Sequence, residues 1–316
     1  MDRPTPEGPQ EGQSEPRPPV QHSSRAACRV VALINQKGGV GKTTTTVNLA
    51  AGLAKLGRRA LVVDLDPQAH ATLHLGADPQ ELGASVYDVL NDPAQAEAAI
   101  RPVSDRLSLI GAETDLAAAE TELAQADHRQ HRLADALGRV NDRFDFVLLD
   151  CPPALGLLTI NALTAASEVL IPMQAHFLAL QGVGKLLESV QLVGQATNPG
   201  LRVSGVVLCA HDNQTAHGKE VVADMEDFFQ QASGTGLPWA GARVFRPPVR
   251  RNIKLAECPS FGQTIFDYAP EAPGAADYWA LAAALDAVRP EPATPAVPEP
   301  PVVETRPAEP SAHHAG

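Results

Sequence analysis

The apolar, β-branched run VVALIN at 30–35 leads straight into Lys37-Gly38-Gly39-Val40-Gly41-Lys42-Thr43-Thr44, and a helical pattern follows at once. Strand, glycine-rich turn and helix start, in that order, are the setting of a phosphate-binding loop. Glycines let successive backbone N–H groups curl around an anion with no Cβ in the way. The helix N-terminus adds unpaired donors and a partial positive charge. In that setting Lys42 reaches the β- and γ-phosphates of a nucleotide, and the Thr43 hydroxyl holds Mg²⁺. The chain must therefore fold into a sheet whose strand ends present this loop.

The remaining pattern agrees. Runs at 60–66 (ALVVDLD), 107–111, 144–150 (FDFVLLD), 168–173 (EVLIPM) and 203–209 (VSGVVLC) are mostly continuous apolar stretches, as strands covered on both faces are. Helical periodicity lies between them. At 43–56 it puts Val47, Ala50, Leu53 and Ala54 on one stripe, with Gly57 suited to the C-cap; others fall at 115–126, 132–141, 182–196 and 218–231. Alternation of this kind predicts an α/β fold: a doubly wound, mainly parallel sheet flanked by helices.

Composition sets the limits of that domain. Of 316 residues, 28 are proline, and half of the prolines fall in 1–26 and 290–316. Those ends are read as disordered tails, leaving 27–289 as one folded domain. An apolar content of 44% supports a sizeable core, built from Ala, Leu and Val because aromatics are only 4%. No run approaches the roughly 18 apolar residues of a membrane helix, and the acidic, proline-rich start is not a secretory signal. Cys28, Cys151, Cys209 and Cys258 are scattered, which suits a reduced cytosol better than a disulfide framework or zinc module. His70/His74 and His128/His131 have helical spacing but no further ligand nearby, so they are read as surface or loop histidines.

The loop departs from the ordinary form. Its usual first glycine is replaced by Gln36, and a second lysine, Lys37, follows. A cation there is badly placed for its own nucleotide but well placed to reach across to a second subunit's, as an arginine finger does. This predicts an ATP-bridged homodimer. Asp150, at the end of one strand run, supplies the second Mg²⁺-supporting carboxylate; Asp64 and Asp66 end another, at the edge where ligands gather. Asp66, nearer the tip, is assigned to orienting the attacking water. Thr43, Asp66 and Asp150 form the set facing the metal, and either Asp64 or Asp66 is also suited to capping the next turn.

Taken together, QKGGVGKTTTTVNLA, VVDLDPQAHAT, VLLDCPPALGLLTINAL, IPMQAHFLALQG and RRNIKLAECPSFGQTI resemble the ParA/Soj partition ATPases, among the deviant-Walker P-loop proteins that include MinD. The resemblance runs through about 29–285. It implies an ATP- and Mg²⁺-dependent enzyme that forms a nucleotide sandwich dimer in the cytoplasm, on the nucleoid. The dimer would bind double-stranded DNA without sequence preference and hydrolyse ATP when a ParB-type partner stimulates it. By resemblance Lys37 is the signature lysine, Lys42 the phosphate lysine, Thr43 the Mg²⁺ ligand, Asp66 the hydrolytic aspartate and Asp150 the Walker B aspartate. Arg251 and Asn252 match the stretch against the adenine, and Lys254 a DNA-binding position. The family often reads Pro-Arg-Asn where this chain has Arg250-Arg251-Asn252, and Gln214 stands where the family has a second DNA-contacting arginine.

A net charge of −12 is unusual for a DNA binder, yet Arg243, Arg246, Arg250, Arg251 and Lys254 put five cations into twelve residues with no acid between them. Local charge is what meets phosphate, so Arg243, Arg246, Arg250 and Lys254 are the expected DNA contacts. A MinD-like membrane-cycling ATPase would need a basic amphipathic helix at its end, against a proline-rich, acidic tail here. An iron–sulfur scaffold would need clustered cysteines. A nucleotide-dependent DNA scaffold with little hydrolysis stays open.

Overall fold

A computed structural model describes residues 27–175, 179–211 and 216–288; the two tails and Gln214 lie outside them. Eight strands form one sheet: β1 (Arg29–Leu33), β2 (Ala60–Asp64), β3 (Arg101–Pro102), β4 (Leu107–Ile110), β5 (Phe146–Asp150), β6 (Glu168–Met173), β7 (Arg202–Leu208) and β8 (Arg243–Phe245). Their order is β3-β4-β2-β5-β1-β6-β7-β8. All pair in parallel except β3 with β4. The mainly parallel α/β sheet is thus present, and all six strand runs of the sequence lie in it.

Eleven α-helices among the described residues cover its faces. They are α1 (Lys42–Lys55), α2 (His70–His74), α3 (Val86–Asn91), α4 (Leu116–Glu122), α5 (Arg132–Gly138), α6 (Leu157–Ala165), α7 (Ala179–Thr197), α8 (Ala216–Ala232), α9 (Ile253–Glu257), α10 (Ile265–Tyr268) and α11 (Pro273–Ala287). Alternate residues of β1 enter opposite layers. Val30 and Ala32 pack with α3 through α8, while Val31 and Leu33 pack with α1, α2 and α9 through α11. Gly57 closes α1 as expected: at φ 89° it donates to the Ala54 carbonyl, and Arg58 donates to that of Leu53.

Helix α11 lies along α1. A Cβ on Gly52 of α1 would stand 2.8 Å from the Ala282 side chain, so only glycine allows this approach. The C-terminal end of α11 is tied to β1 by Arg29, whose guanidinium donates to the carbonyls of Leu285 (2.6 Å) and Val288 (2.9 Å). The same guanidinium is bidentate to buried Glu168 of β6, at 2.6 and 2.8 Å.

One histidine departs from the sequence reading. His74 is 1% exposed, on the inward side of α2, and neither ring nitrogen has a hydrogen-bond partner. Burial lowers its pKa from 6.5 to about 4, and the nearby Gln263 backbone, which forms no hydrogen bond of good geometry with the ring, offsets this only in part. The unfolded chain takes up this proton first, so the contribution falls as pH drops from 6.5 toward 4. Replacing His74→Leu removes the linkage. Relative to wild type, the variant should gain about 2 kcal/mol between pH 7.5 and pH 5 in urea unfolding. Parallel pH profiles for the two proteins would refute this.

Candidate active site

Parallel pairing in register sets the site. Leu33 of β1 lies opposite Asp150 of β5, and Asp150 lies opposite Asp64 of β2. The loops leaving β1, β2 and β5 therefore start at one level, on the carboxyl edge of the sheet.

The loop after β1 is open, and it takes left-handed backbone angles only at glycines. Gly39 and Gly41 hold φ of 71° and 99°, in the left-handed region that favours glycine. Around Gly38 and Gly39 a Cβ would meet nothing within 4 Å, whereas at Gly41 it would stand 3.3 Å from the Cys209 sulfur. Val40 is buried and anchors the loop, while Lys37 is exposed at its outer end. Gly41 is the N-cap of α1 and offers no side-chain cap. The first turn, with Thr43 and Thr44 half-buried, thus keeps backbone donors for a ligand.

Lys42 is 8% exposed. Its ammonium has one long contact, 3.4 Å to the Lys37 carbonyl. Burial lowers its pKa, and the charges of Asp150 and Asp66 partly restore it. Asp150 and Asp64 are both fully buried; burial holds both carboxyls well above the usual range, reinforced at Asp150 by the charge of Asp64 and at Asp64 by that of Asp66. They are not equivalent. Asp64 accepts from Asp66 N–H (3.1 Å), Thr72 N–H (2.8 Å) and the Thr72 hydroxyl (2.8 Å). Asp150 has the Thr46 hydroxyl 3.0 Å from Oδ1, but its Oδ2 has no partner. A buried acceptor left open beside a lysine and a threonine fits a cation's ligand shell.

Asp66 sits two residues past the end of β2 and is half-buried. Its Oδ1 accepts from Gln68 N–H at 3.0 Å and its carbonyl from Ala69 N–H at 2.8 Å. It caps the turn into α2, where Ala69 adopts φ 53°, and its charge still reaches Lys42. Sequence reasoning passed over Thr46 and Thr72. Thr46 had a signal: it is four residues after Lys42, so it shares that side chain's helix face.

The cationic stretch folds differently from its linear pattern. Arg246 pairs with Glu226 (2.7 Å), Arg250 with Asp277 (2.7 Å) and Lys254 with Glu257 (2.8 Å). No acid separates these cations in sequence, but three carboxylates meet them in space. Arg243, over the Phe245 ring at 5.9 Å, and exposed Arg251 have no ion pair among the described residues. Asn252 caps α9 by accepting from Lys254 N–H at 2.9 Å, and its Nδ2 is buried without a partner. The loop 246–252 leaves the carboxyl end of β8, on the same edge as the phosphate loop.

With this geometry in place, comparison with known proteins is decisive. A family model described as an AAA domain matches residues 28–203. The chromosome partitioning protein ParA of Myxococcus xanthus is 40% identical over 254 residues, covering 80% of this chain and 86% of that protein. The sporulation initiation inhibitor protein Soj of Bacillus subtilis is 42% identical over 255 residues, covering 80% and 96%. The chain belongs to the ParA/Soj family. A structure of cobyrinic acid a,c-diamide synthase from Mycobacterium smegmatis, with bound ATP analog and magnesium, is also similar: 38% identity, TM-score 0.68, 82% of this chain and 94% of that one. Among the described residues of this ParA/Soj chain, no helix is long and apolar enough to cross a membrane.

The Asp64 latch makes a test of the site's frame. Thr72→Val removes one of its three donors and also the acceptor, 2.9 Å away, of Ala112 N–H. The variant should lose about 1–3 kcal/mol of unfolding free energy in urea. A loss below about 0.5 kcal/mol would mean that Thr72 does not hold Asp64.

Proposed function

We propose that this chain is a partition ATPase: two copies close around Mg²⁺·ATP, bind duplex DNA without sequence preference, and let go after hydrolysis stimulated by a ParB-type partner. The observation that carries the reading is one meeting point on the sheet edge. Open glycine backbone, buried Lys42 and the unpartnered Asp150 Oδ2 all belong to segments that start or end where β1, β2 and β5 finish in register.

Each residue then has a physical task. Backbone N–H groups of 38–43 surround the phosphates, and Lys42 exchanges its long contact with the Lys37 carbonyl for a phosphate oxygen. Thr43 and Asp150 hold Mg²⁺, which when bound neutralises phosphate charge; with Lys42 it also favours ionised Asp150. Asp66 orients the attacking water from its turn. Exposed Lys37 extends toward the second copy's triphosphate, and Arg251 and Asn252 lie against the adenine. DNA phosphates are met by Arg243, Arg246 and Lys254. Arg250, expected among them, is engaged with Asp277 and is better read as an anchor. Pairing two copies brings two such patches to one duplex and multiplies affinity without new contacts. The chain works in the cytoplasm, on the nucleoid, through residues 27–289.

The decisive experiment compares DNA retention with ATP and with ADP, at rising salt. Wild type should bind with ATP only, losing affinity steeply as salt rises. Lys42→Ala should bind no nucleotide. Asp66→Ala should bind ATP, dimerise and stay on DNA while its stimulated hydrolysis falls at least about 100-fold. Equal DNA retention with ATP, with ADP and without nucleotide would overturn the mechanism. Undiminished turnover in Asp66→Ala would remove Asp66 from it, and negligible turnover in wild type with DNA and partner would favour a non-hydrolysing scaffold.

A further inference from the structure

Asp277 is 3% exposed on α11, and it is saturated by one residue. Arg250 donates its backbone N–H to Oδ2 (3.0 Å), its Nε to Oδ1 and Oδ2 (3.1 and 3.0 Å) and its Nη2 to Oδ1 (2.7 Å). The same Nη2 reaches the Pro273 carbonyl at 3.2 Å. A buried carboxylate gripping a main-chain N–H and a side chain together fixes that residue's backbone as well as its charge. The next residue of α11, Tyr278, is fully buried and its hydroxyl lies 3.1 Å from Thr45 Oγ1, one turn into the phosphate-loop helix. Two adjacent residues of one helix thus hold the loop 246–252 and the helix of the phosphate loop in a fixed relation.

We infer that Asp277 is a positioning residue for nucleotide recognition: by clamping Arg250, main chain and side chain together, it holds Arg251 and Asn252 at the base while the phosphates are held separately by the loop. This rests on the proposed reading that Arg251 and Asn252 face the adenine. The clamp restrains the base-facing segment and leaves the glycine loop and Lys42 untouched, so base recognition and phosphate binding should respond differently to its loss. Arg250 belongs to this clamp rather than to the DNA surface.

The test uses the full chain with Mg²⁺ and measures affinities for ATP, GTP and inorganic triphosphate. Asp277→Ala should weaken ATP about tenfold, the scale of one lost charge-assisted contact, and narrow the preference for ATP over GTP. Its affinity for triphosphate should stay within about twofold of wild type. Arg250→Pro alone leaves the buried carboxylate without its partner and should resemble or exceed that loss. Arg250→Pro combined with Asp277→Ala removes the buried charge and restrains the same backbone through the proline ring instead, and should recover most of the ATP preference. Asp277→Asn keeps the packing if the alanine variant does not fold, and should show the same pattern to a smaller degree. Equal loss of ATP and triphosphate would reduce Asp277 to general support, and unchanged ATP affinity in both Asp277 variants would overturn the inference. Were wild type itself to bind ATP, GTP and triphosphate alike, the adenine reading would fall instead.

Discussion

Parallel pairing of β1 with β5 and of β5 with β2 is the constraint from which the site follows. It puts Leu33, Asp150 and Asp64 at one level, so the chain cannot place its phosphate loop without placing two carboxylates beside it. Two like charges buried side by side are costly. The fold offsets that cost unevenly. Asp64 takes three donors and becomes part of the frame, while Asp150 keeps one buried oxygen without a partner. The same register that packs the sheet thus separates an acid whose oxygens are all engaged from one that keeps an oxygen free.

A second constraint comes from the far end of the chain. Helix α11 is tied at both ends: near its start Asp277 holds the loop after β8 and Tyr278 reaches α1, and at its close Arg29 joins it to β1 and β6. Its approach to α1 depends on Gly52 having no side chain. The phosphate-loop helix and the 246–252 loop share one support, although about two hundred residues separate them in sequence. Movement of one relative to the other must work against buried contacts, and interiors packed at this density transmit displacement rather than absorb it.

Much of this was legible because buried parallel strands are written as unbroken apolar runs. β2, β5 and β6 fall where ALVVDLD, FDFVLLD and EVLIPM stand. The edge strand β8 has only three residues, Arg-Val-Phe, too short to make a run, and it went unseen. Helix α11 was missed for another reason. Its sequence, PGAADYWALAAALDA, is alanine on every side, so the contrast between inner and outer faces that periodicity depends on is small. His74 had the spacing of an exposed pair with His70, and only tertiary packing decides which of the two turns inward. The glycine turn between β1 and α1 was legible, since Gly39 and Gly41 are local requirements of its backbone angles.

The cationic stretch shows what a linear reading of charge leaves out. Five cations in twelve residues read as a strong anion-binding surface, yet Glu226 of α8, Asp277 of α11 and Glu257, one turn along α9 from Lys254, meet three of them. They do different work. The Arg246 and Lys254 pairs are exposed, and ion pairs of that kind contribute little and exchange readily for phosphate. Arg250 is held by a buried carboxylate that no phosphate can replace without leaving Asp277 uncompensated. One copy therefore offers a modest surface whose net charge is small, and electrostatic affinity for DNA grows with the number of phosphates met together. A surface tuned this low is useful to a switch: under the proposed reading a single copy falls below effective binding, and pairing across nucleotide carries it above.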